Sequence, residues 1–316
     1  MDSEHIERRA GQLQQNTIMI RGLCLLLLLA PRLLAREVAI TFDDLPDLDD
    51  DLHSYQREAQ ITNELVSRLR ALHIPAIGFV NEEKLEDDPR GEELLGVWHR
   101  NGFELGNHTY SHSELPAVGA EEFNCDIDRG DEITTRVAGH PPLWFRHPYL
   151  ETGQTPEQRD AVEHFLARHG YLVAPVTIDD SDWIFDTAYD VASWWRRPSI
   201  RRAYINYMRQ RFEWAEYESR LVFGRDVPQI LLLHASTLNA DTLDALAGMI
   251  RGRGYTFVTL ADAVSDSAYA SRDEWVGGGV GWIERWGITA GMAEAVFESD
   301  PQVPGWIQKI AKQRED

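Results

Sequence analysis

Cysteine is almost absent: the 316-residue chain has two, Cys24 and Cys125. Cys24 lies inside a short N-terminal apolar run, so a chain cut beyond that run keeps one thiol and no internal disulfide. A cysteine-built zinc site is excluded too, and any metal must be held by His and carboxylates. Basic residues are scarce, with 31 Lys and Arg against 52 Asp and Glu and a net charge of −21. Polyanions are bound through clustered cations, so nucleic acid is not an expected partner, and the acidity reads as a solvated surface. The apolar run Leu23–Ala30 is too short to cross a bilayer as a mature helix. Internal repeats and low-complexity linkers are also missing.

What that run does fit is a targeting segment. Arg21 precedes it, Pro31 and Arg32 follow, and Ala35 is a small residue suited to cleavage. Leu33 is larger than the third position before a cut usually allows. Residues 1–18 are polar and carry acids, which points to Met19 as the start of synthesis. Residues 1–35 are therefore expected to be a signal peptide, with export to the periplasm, cell envelope or exterior and no stable membrane span in the mature protein. Losing their four basic and three acidic residues moves the net charge from −21 only to −22, so the acidity belongs to the folded part.

The remaining chain alternates short apolar runs with helical patterns. Strands are expected at Val38–Phe42, Ala76–Val80, Phe103–Gly106, Trp144–Arg146, Leu172–Ile178, Gln229–His234 and Thr256–Leu260. Between them, apolar residues recur three and four apart, as in Ile61, Leu65, Leu69 and Leu72, or Val162, Phe165 and Leu166. Alternating strand and helix imply a parallel sheet or barrel whose chemistry sits at the C-terminal strand ends. A long insertion follows Trp183, with a helical run over residues 200–220. A tail with Gly277, Gly278, Gly279 and Gly281 follows Leu260. The expected organisation is a catalytic domain over 36–265, interrupted at about 184–227, and an extension over 266–316.

Five short motifs fall at those strand ends. Thr41–Asp44 places two acids together; one could bind a metal while the other contacts a water, although a turn or helix cap uses Asp in the same way. His108 and His112, four apart, could point at one ion from a helical turn, as could two ordinary surface histidines. Arg146–Tyr149 offers a guanidinium fork and a proline-stiffened N–H for an oxyanion. Asp179–Trp183 and Leu232–His234 complete the set. Alone, a His ending an apolar strand is more often a satisfied core group.

Taken in order, these motifs resemble the polysaccharide deacetylases of the NodB-homology type, carbohydrate esterase family 4, over about residues 37–260. That family's patterns are T-F-D-D, H-[ST]-x-x-H, R-x-P-Y, D-x-x-D-W and L-x-H. The resemblance implies a distorted (β/α)7 barrel, to which the inserted helical segment and the C-terminal extension are added. It implies a hydrolase that removes acetyl groups from N-acetylated sugars of an acetylated glycan: chitooligosaccharide, peptidoglycan or exopolysaccharide. Asp44, His108 and His112 then look like ligands of a divalent metal, Zn2+ by preference, with Co2+, Mn2+, Ni2+ or Fe2+ able to replace it. Asp43 looks like the general base, His234 the general acid, Arg146 the residue orienting Asp43, and Asp182 the partner of His234. Tyr149 would supply the oxyanion N–H and Trp183 a wall of the acetyl pocket.

Departures are Leu45 where the family usually has Gly, His147 inside the third motif, Asp180 as an extra acid in the fourth, and the long insertion. They bear on the cleft more than on the reaction. An amidase for small non-sugar amides and a non-catalytic carbohydrate-binding relative stay open as alternatives. Trp194, Trp195, Trp282 and Trp286 are expected to pack in the interior rather than to stack on sugar rings.

Overall fold

The apolar runs pair into one sheet. In the computed structural model, which describes residues 36–49, 53–86, 88 and 90–314, β1 is Arg36–Leu45, β2 Ala76–Val80, β3 Glu104–Asn107 and β4 Trp144–Phe145. β5 is Leu172–Val173, β6 Gln229–His234 and β7 Tyr255–Phe257. The expected signal peptide lies outside the described residues. The order is β5-β4-β3-β2-β1-β6, every pairing along it is parallel, and β7 joins at β1. β1 reads as a nearly continuous buried run, since both faces of a parallel sheet are covered.

The expected fifth strand is only partly regular. Its first residues pair with β4, and its last, Ile178, bridges to Leu231 of β6. The segment 172–178 thus reaches from one end of the sheet to the other and curls it into the distorted (β/α)7 barrel. Thr256–Leu260 is shorter than expected, since Leu260 begins a helix capped by the Thr259 side chain.

Helices cover the outside. α1 (Tyr55–Ala71) buries Ile61, Leu65 and Leu69, the residues spaced three and four apart. α2 is Gly91–Arg100, and α3 (Pro156–His169) starts under a Thr155 side-chain cap and ends at Gly170 with φ +81°. The insertion forms α4 (Asp182–Val191) and α5 (Arg197–Phe223), the latter about 40 Å long at 1.5 Å per residue. α6 is Thr237–Gly252, α7 Trp282–Thr289 and α8 Gly305–Ala311. The C-terminal helices pack back onto the insertion, α7 against α5 and α8 against α4. Trp282 and Trp286 are buried as expected, but Trp194 and Trp195 are exposed, against that expectation. They sit in the turn between α4 and α5, which no neighbouring element among the described residues covers. No helix among the described residues is long and apolar enough to cross a membrane.

Candidate active site

The strand ends bring the motif residues together. Asp43 lies in register with His234 across the β1–β6 pairing. An extended strand would send Asp43 and Asp44 to opposite faces, but Asp44 takes φ +62° and the ladder to β2 slips between Phe42 and Leu45. Both acids therefore approach His108: Asp43 Oδ2 is 3.8 Å and Asp44 Oδ1 3.7 Å from its Nε2. Asp44 Oδ1 is also 3.6 Å from His112 Nε2. One oxygen of each acid, Oδ1, is buried with no hydrogen-bond partner among the described residues.

The two histidines converge without the expected helical turn. Residues 108–112 form an irregular loop in which Thr109 and His112 have φ of +66° and +54°. Asn107 Oδ1 accepts from Thr109 N at 2.7 Å, and the Tyr110 N–H donates to the Asp126 carbonyl at 3.1 Å. Gly130 is required beneath, because a Cβ there would come within 2.5 Å of the Thr109 backbone. Side-chain and backbone bonds thus replace helix geometry as the device that aims both rings.

Arg146 is fully buried between β4 and Asp43. Its Nη1 stands 3.5 Å from Asp43 Oδ2, and Nη2 donates to Thr41 Oγ1 at 3.1 Å, so it touches the carboxylate once rather than as a fork. Tyr149 and Leu150 follow with φ of +55° and +52°. Such conformations cost of order 1–3 kcal/mol each and persist only where the surroundings hold them. Here the C-terminal tail does so. The Gly279 N–H donates to the Tyr149 carbonyl at 3.1 Å. Fully buried Arg285 donates from Nη2 to the Leu150 carbonyl and from Nε to the Val280 carbonyl at 2.8 Å. The glycine cluster stood out in the sequence without a role; Arg285 carried no signal at all.

Asp182, at the start of α4, accepts three bonds. Its Oδ1 meets His234 Nδ1 at 2.5 Å, and its Oδ2 accepts from His234 N at 2.7 Å and Asn239 Nδ2 at 2.5 Å. Asn239 is a second group that sequence reasoning missed. It sits on the first turn of α6, five residues after a recognised motif.

Burial sets the electrostatics. It pushes the Asp43 carboxyl up to about 6, against the opposing pull of Arg146 and His234. Burial also raises Asp44, but Lys84, His112, His234 and His108 outweigh it and hold the carboxyl well below the usual range. His108 and His112 are lowered to about 4, first by burial, and are neutral at neutral pH. Burial works against a charge on His234, yet Asp182 outweighs it and lifts the imidazole to about 10.

These groups line a cleft of about 620 Å³ with Tyr149, Trp183, Asp179, His147, Glu114, Glu151, Gly278 and Gly279. Tyr149 and Trp183 are each 52% exposed, and the Tyr149 ring meets the His112 ring edge-on at 4.5 Å. His147, buried between Phe123 and Phe145, has an unpartnered Nδ1.

The donor set suits a divalent cation. Ligand atoms of Asp44, His108 and His112 lie within 4.8 Å of one another. His108 Nδ1 is 2.8 Å from the Arg146 carbonyl, which can only accept, so Nδ1 carries the hydrogen and Nε2 offers its lone pair to the site. Two neutral imidazoles, one ionised carboxylate and an unpartnered carboxylate oxygen match a zinc-type ligand set with positions left open.

A second acidic group, Asp49, Asp186 and Asp190, is served in part by protein donors, with Oδ2 of Asp49 and of Asp186 left unpartnered among the described residues. Arg314 reaches Asp49 at 2.8 Å and the Leu238 N–H reaches Asp186 at 2.7 Å, while His53 Nε2 is 3.3 Å from Asp190 and its Nδ1 2.5 Å from Asp47. The bonds to Asp190 and Asp47 lift His53 to about 10, burial notwithstanding. A raised imidazole stabilises the fold fully below its unfolded value of 6.5 and loses that contribution as pH rises through about 10. His53→Gln is therefore expected to cost roughly 2 kcal/mol near pH 6 and little near pH 10. Urea unfolding at both pH values checks this, and a pH-independent difference would reject it.

With the barrel and cleft in place, similarity to known proteins can be read. Residues 32–171 match the polysaccharide deacetylase family model. The peptidoglycan-N-acetylglucosamine deacetylase of Bacillus cereus is 25% identical over 230 residues, covering 71% of this chain and 66% of that protein. A chitin deacetylase of Pestalotiopsis sp is 24% identical over 230 residues, covering 73% of this chain and 64% of that one. The chain thus spans just under two thirds of these relatives' lengths. Among solved structures, the chitin deacetylase of Colletotrichum lindemuthianum superposes with a TM-score of 0.53 at 18% identity, covering 74% of this chain and 90% of that one; this likeness concerns the fold alone. Over residues 32–171 the chain is thus similar to the polysaccharide deacetylases, the family to which these relatives belong by name.

Proposed function

We propose that the protein is an exported, divalent-cation-dependent hydrolase that removes acetyl groups from N-acetylated sugars of a chitin- or peptidoglycan-type glycan. The observation that carries this reading is the convergence of Asp43, Asp44, His108, His112 and His234 on one open cleft. Residues 36–265 would be the catalytic domain, with the insertion at 184–227 and the extension at 266–316.

Asp44, His108 and His112 would hold the cation. A bound Zn2+, or Co2+, Mn2+, Ni2+ or Fe2+ in its place, supplies Lewis-acid polarisation of the acetyl carbonyl and a lowered pKa for water. Asp43 accepts the proton of the attacking water, and Arg146, 3.5 Å from its Oδ2, holds the carboxylate in place. The Tyr149 N–H donates to the developing oxyanion. His234, held through Nδ1 by Asp182, donates from Nε2 to the departing nitrogen, releasing acetate and a free amine. Trp183 walls the acetyl group.

The test is acetate release from N-acetylglucosamine oligomers and peptidoglycan by chelator-stripped protein, before and after adding zinc. Zinc-dependent release establishes the reaction, and the preferred substrate narrows the glycan. Zinc binding without acetate release from any substrate would overturn the proposal.

The tail that fastens the Tyr149 loop makes a further prediction. Arg285→Ala is expected to lower stability by about 3 kcal/mol, because two carbonyls lose a charged donor inside the protein. It should lower kcat more than it raises KM, since the loop carries the oxyanion donor. An unfolding midpoint and a saturation curve measure both, and an unchanged kcat would separate the tail from the chemistry.

A further inference from the structure

The chain is acidic overall, yet its charge is strongly segregated. Between Asp190 and Glu213 there are six arginines and no acid. Arg197, Arg201 and Arg211 approach Asp190, Asp241 and Asp300 at 3.9, 4.0 and 2.9 Å. Arg196, Arg202 and Arg209 are exposed, with no carboxylate partner among the described residues. At the head of this stretch stand Trp194 and Trp195, 79% and 62% exposed, with Val191 40% exposed beside them. Two large apolar rings left in water next to unneutralised guanidinium groups call for a partner that is apolar and anionic together.

Position agrees. α4 begins on His234 and ends where Asp190 meets His53, just ahead of α1. Tyr189 bonds Asp241 at 2.5 Å and Tyr204 bonds Asn239 at 2.8 Å, both on the first turns of α6. Those turns follow the C-terminal end of β6, so the tryptophan tip stands on the catalytic side of the barrel.

We propose that Trp194 and Trp195, with Arg196 and Arg202 behind them, dock this face onto an anionic lipid bilayer. Indole rings settle at the headgroup level, where one end is apolar and the other wet, and arginines meet the lipid phosphates. A sugar platform fits the geometry less well. The two rings are inclined at 86° and share no flat face, and of the glycans proposed above the chitin type is neutral and gives the arginines nothing to neutralise. The surface would hold the enzyme at a membrane with its cleft opening beside the docked tip, close to the bilayer surface.

The experiment is sedimentation of the full chain with vesicles of phosphatidylcholine alone and of phosphatidylcholine with phosphatidylglycerol. Two arginines at about 1 kcal/mol each imply an anionic-over-neutral preference of roughly thirtyfold at low salt, falling as salt is raised. Trp194→Ala with Trp195→Ala should weaken partitioning to both vesicles by about tenfold or more. Arg196→Glu with Arg202→Glu should abolish the preference for anionic lipid. The apolar run at 23–30 is common to all variants and cancels from their ratios. Zinc-dependent acetate release from soluble oligosaccharide should not change, so failure here leaves the catalytic reading untouched. Equal partitioning of wild type to both vesicles, or variants that keep its preference, would overturn the proposal. So would variants that lose only chitooligosaccharide binding, which would make the patch a glycan subsite.

Discussion

Asp43→Asn is expected to lower turnover by about 10²–10⁴-fold while leaving cation binding close to wild type. The side chains are nearly isosteric, and Asp43 packs in a fully formed pocket between Arg146 and His108. What changes is proton affinity, since an amide cannot take the proton that a carboxylate takes. The Asp43 oxygen without a partner faces no donor that would demand a carboxylate there for stability. Arg146 loses only a contact at 3.5 Å and keeps its bond to Thr41. Removing Asp43 does leave the buried Arg146 charge less compensated, so some loss of stability accompanies the effect. Calorimetric zinc titration and acetate release on one preparation separate the outcomes. Near-normal turnover in Asp43→Asn would show that another group takes the proton.

Much of this arrangement was legible in the sequence because it depends on local rules. Buried parallel strands are short and apolar, so Ala76–Val80 and Gln229–His234 have their expected bounds. The βα alternation placed the motif residues at strand ends. What escaped was set by long-range contacts. The convergence of Asp43 with Asp44 depends on a left-handed residue inside a strand, and that of His108 with His112 on Asn107, Asp126 and Gly130. Neither leaves a periodic trace. Arg285 is some 135 residues from the carbonyl it serves, and an isolated arginine in a tail has no pattern. The exposed Trp194 and Trp195 were misjudged because hydrophobicity argues for burial and says nothing about whether an element is present to cover the ring.

His108→Ala is expected to separate from Asp43→Asn by losing cation binding along with turnover. His108 is buried, and its Nε2 stands between the carboxylates of Asp43 and Asp44. Without the ring, Asp44 and His112 alone face the space, two donors in place of three, and the Arg146 carbonyl loses its partner. Thermal unfolding reads this independently of activity. A ligand that binds only the folded state stabilises by about 2.7 kcal/mol at a hundredfold excess over Kd, several degrees for a domain of this size. Zinc should therefore raise the unfolding temperature of wild type and of Asp43→Asn, and leave His108→Ala almost unmoved. The metal-free proteins should differ less, because the ring is replaced by space that polar neighbours let water fill. If zinc raised the unfolding temperature of His108→Ala as much as that of wild type, the ligand set would have to be sought elsewhere. The Asp49, Asp186 and Asp190 group would then be the next place to test, despite the donors that already serve it.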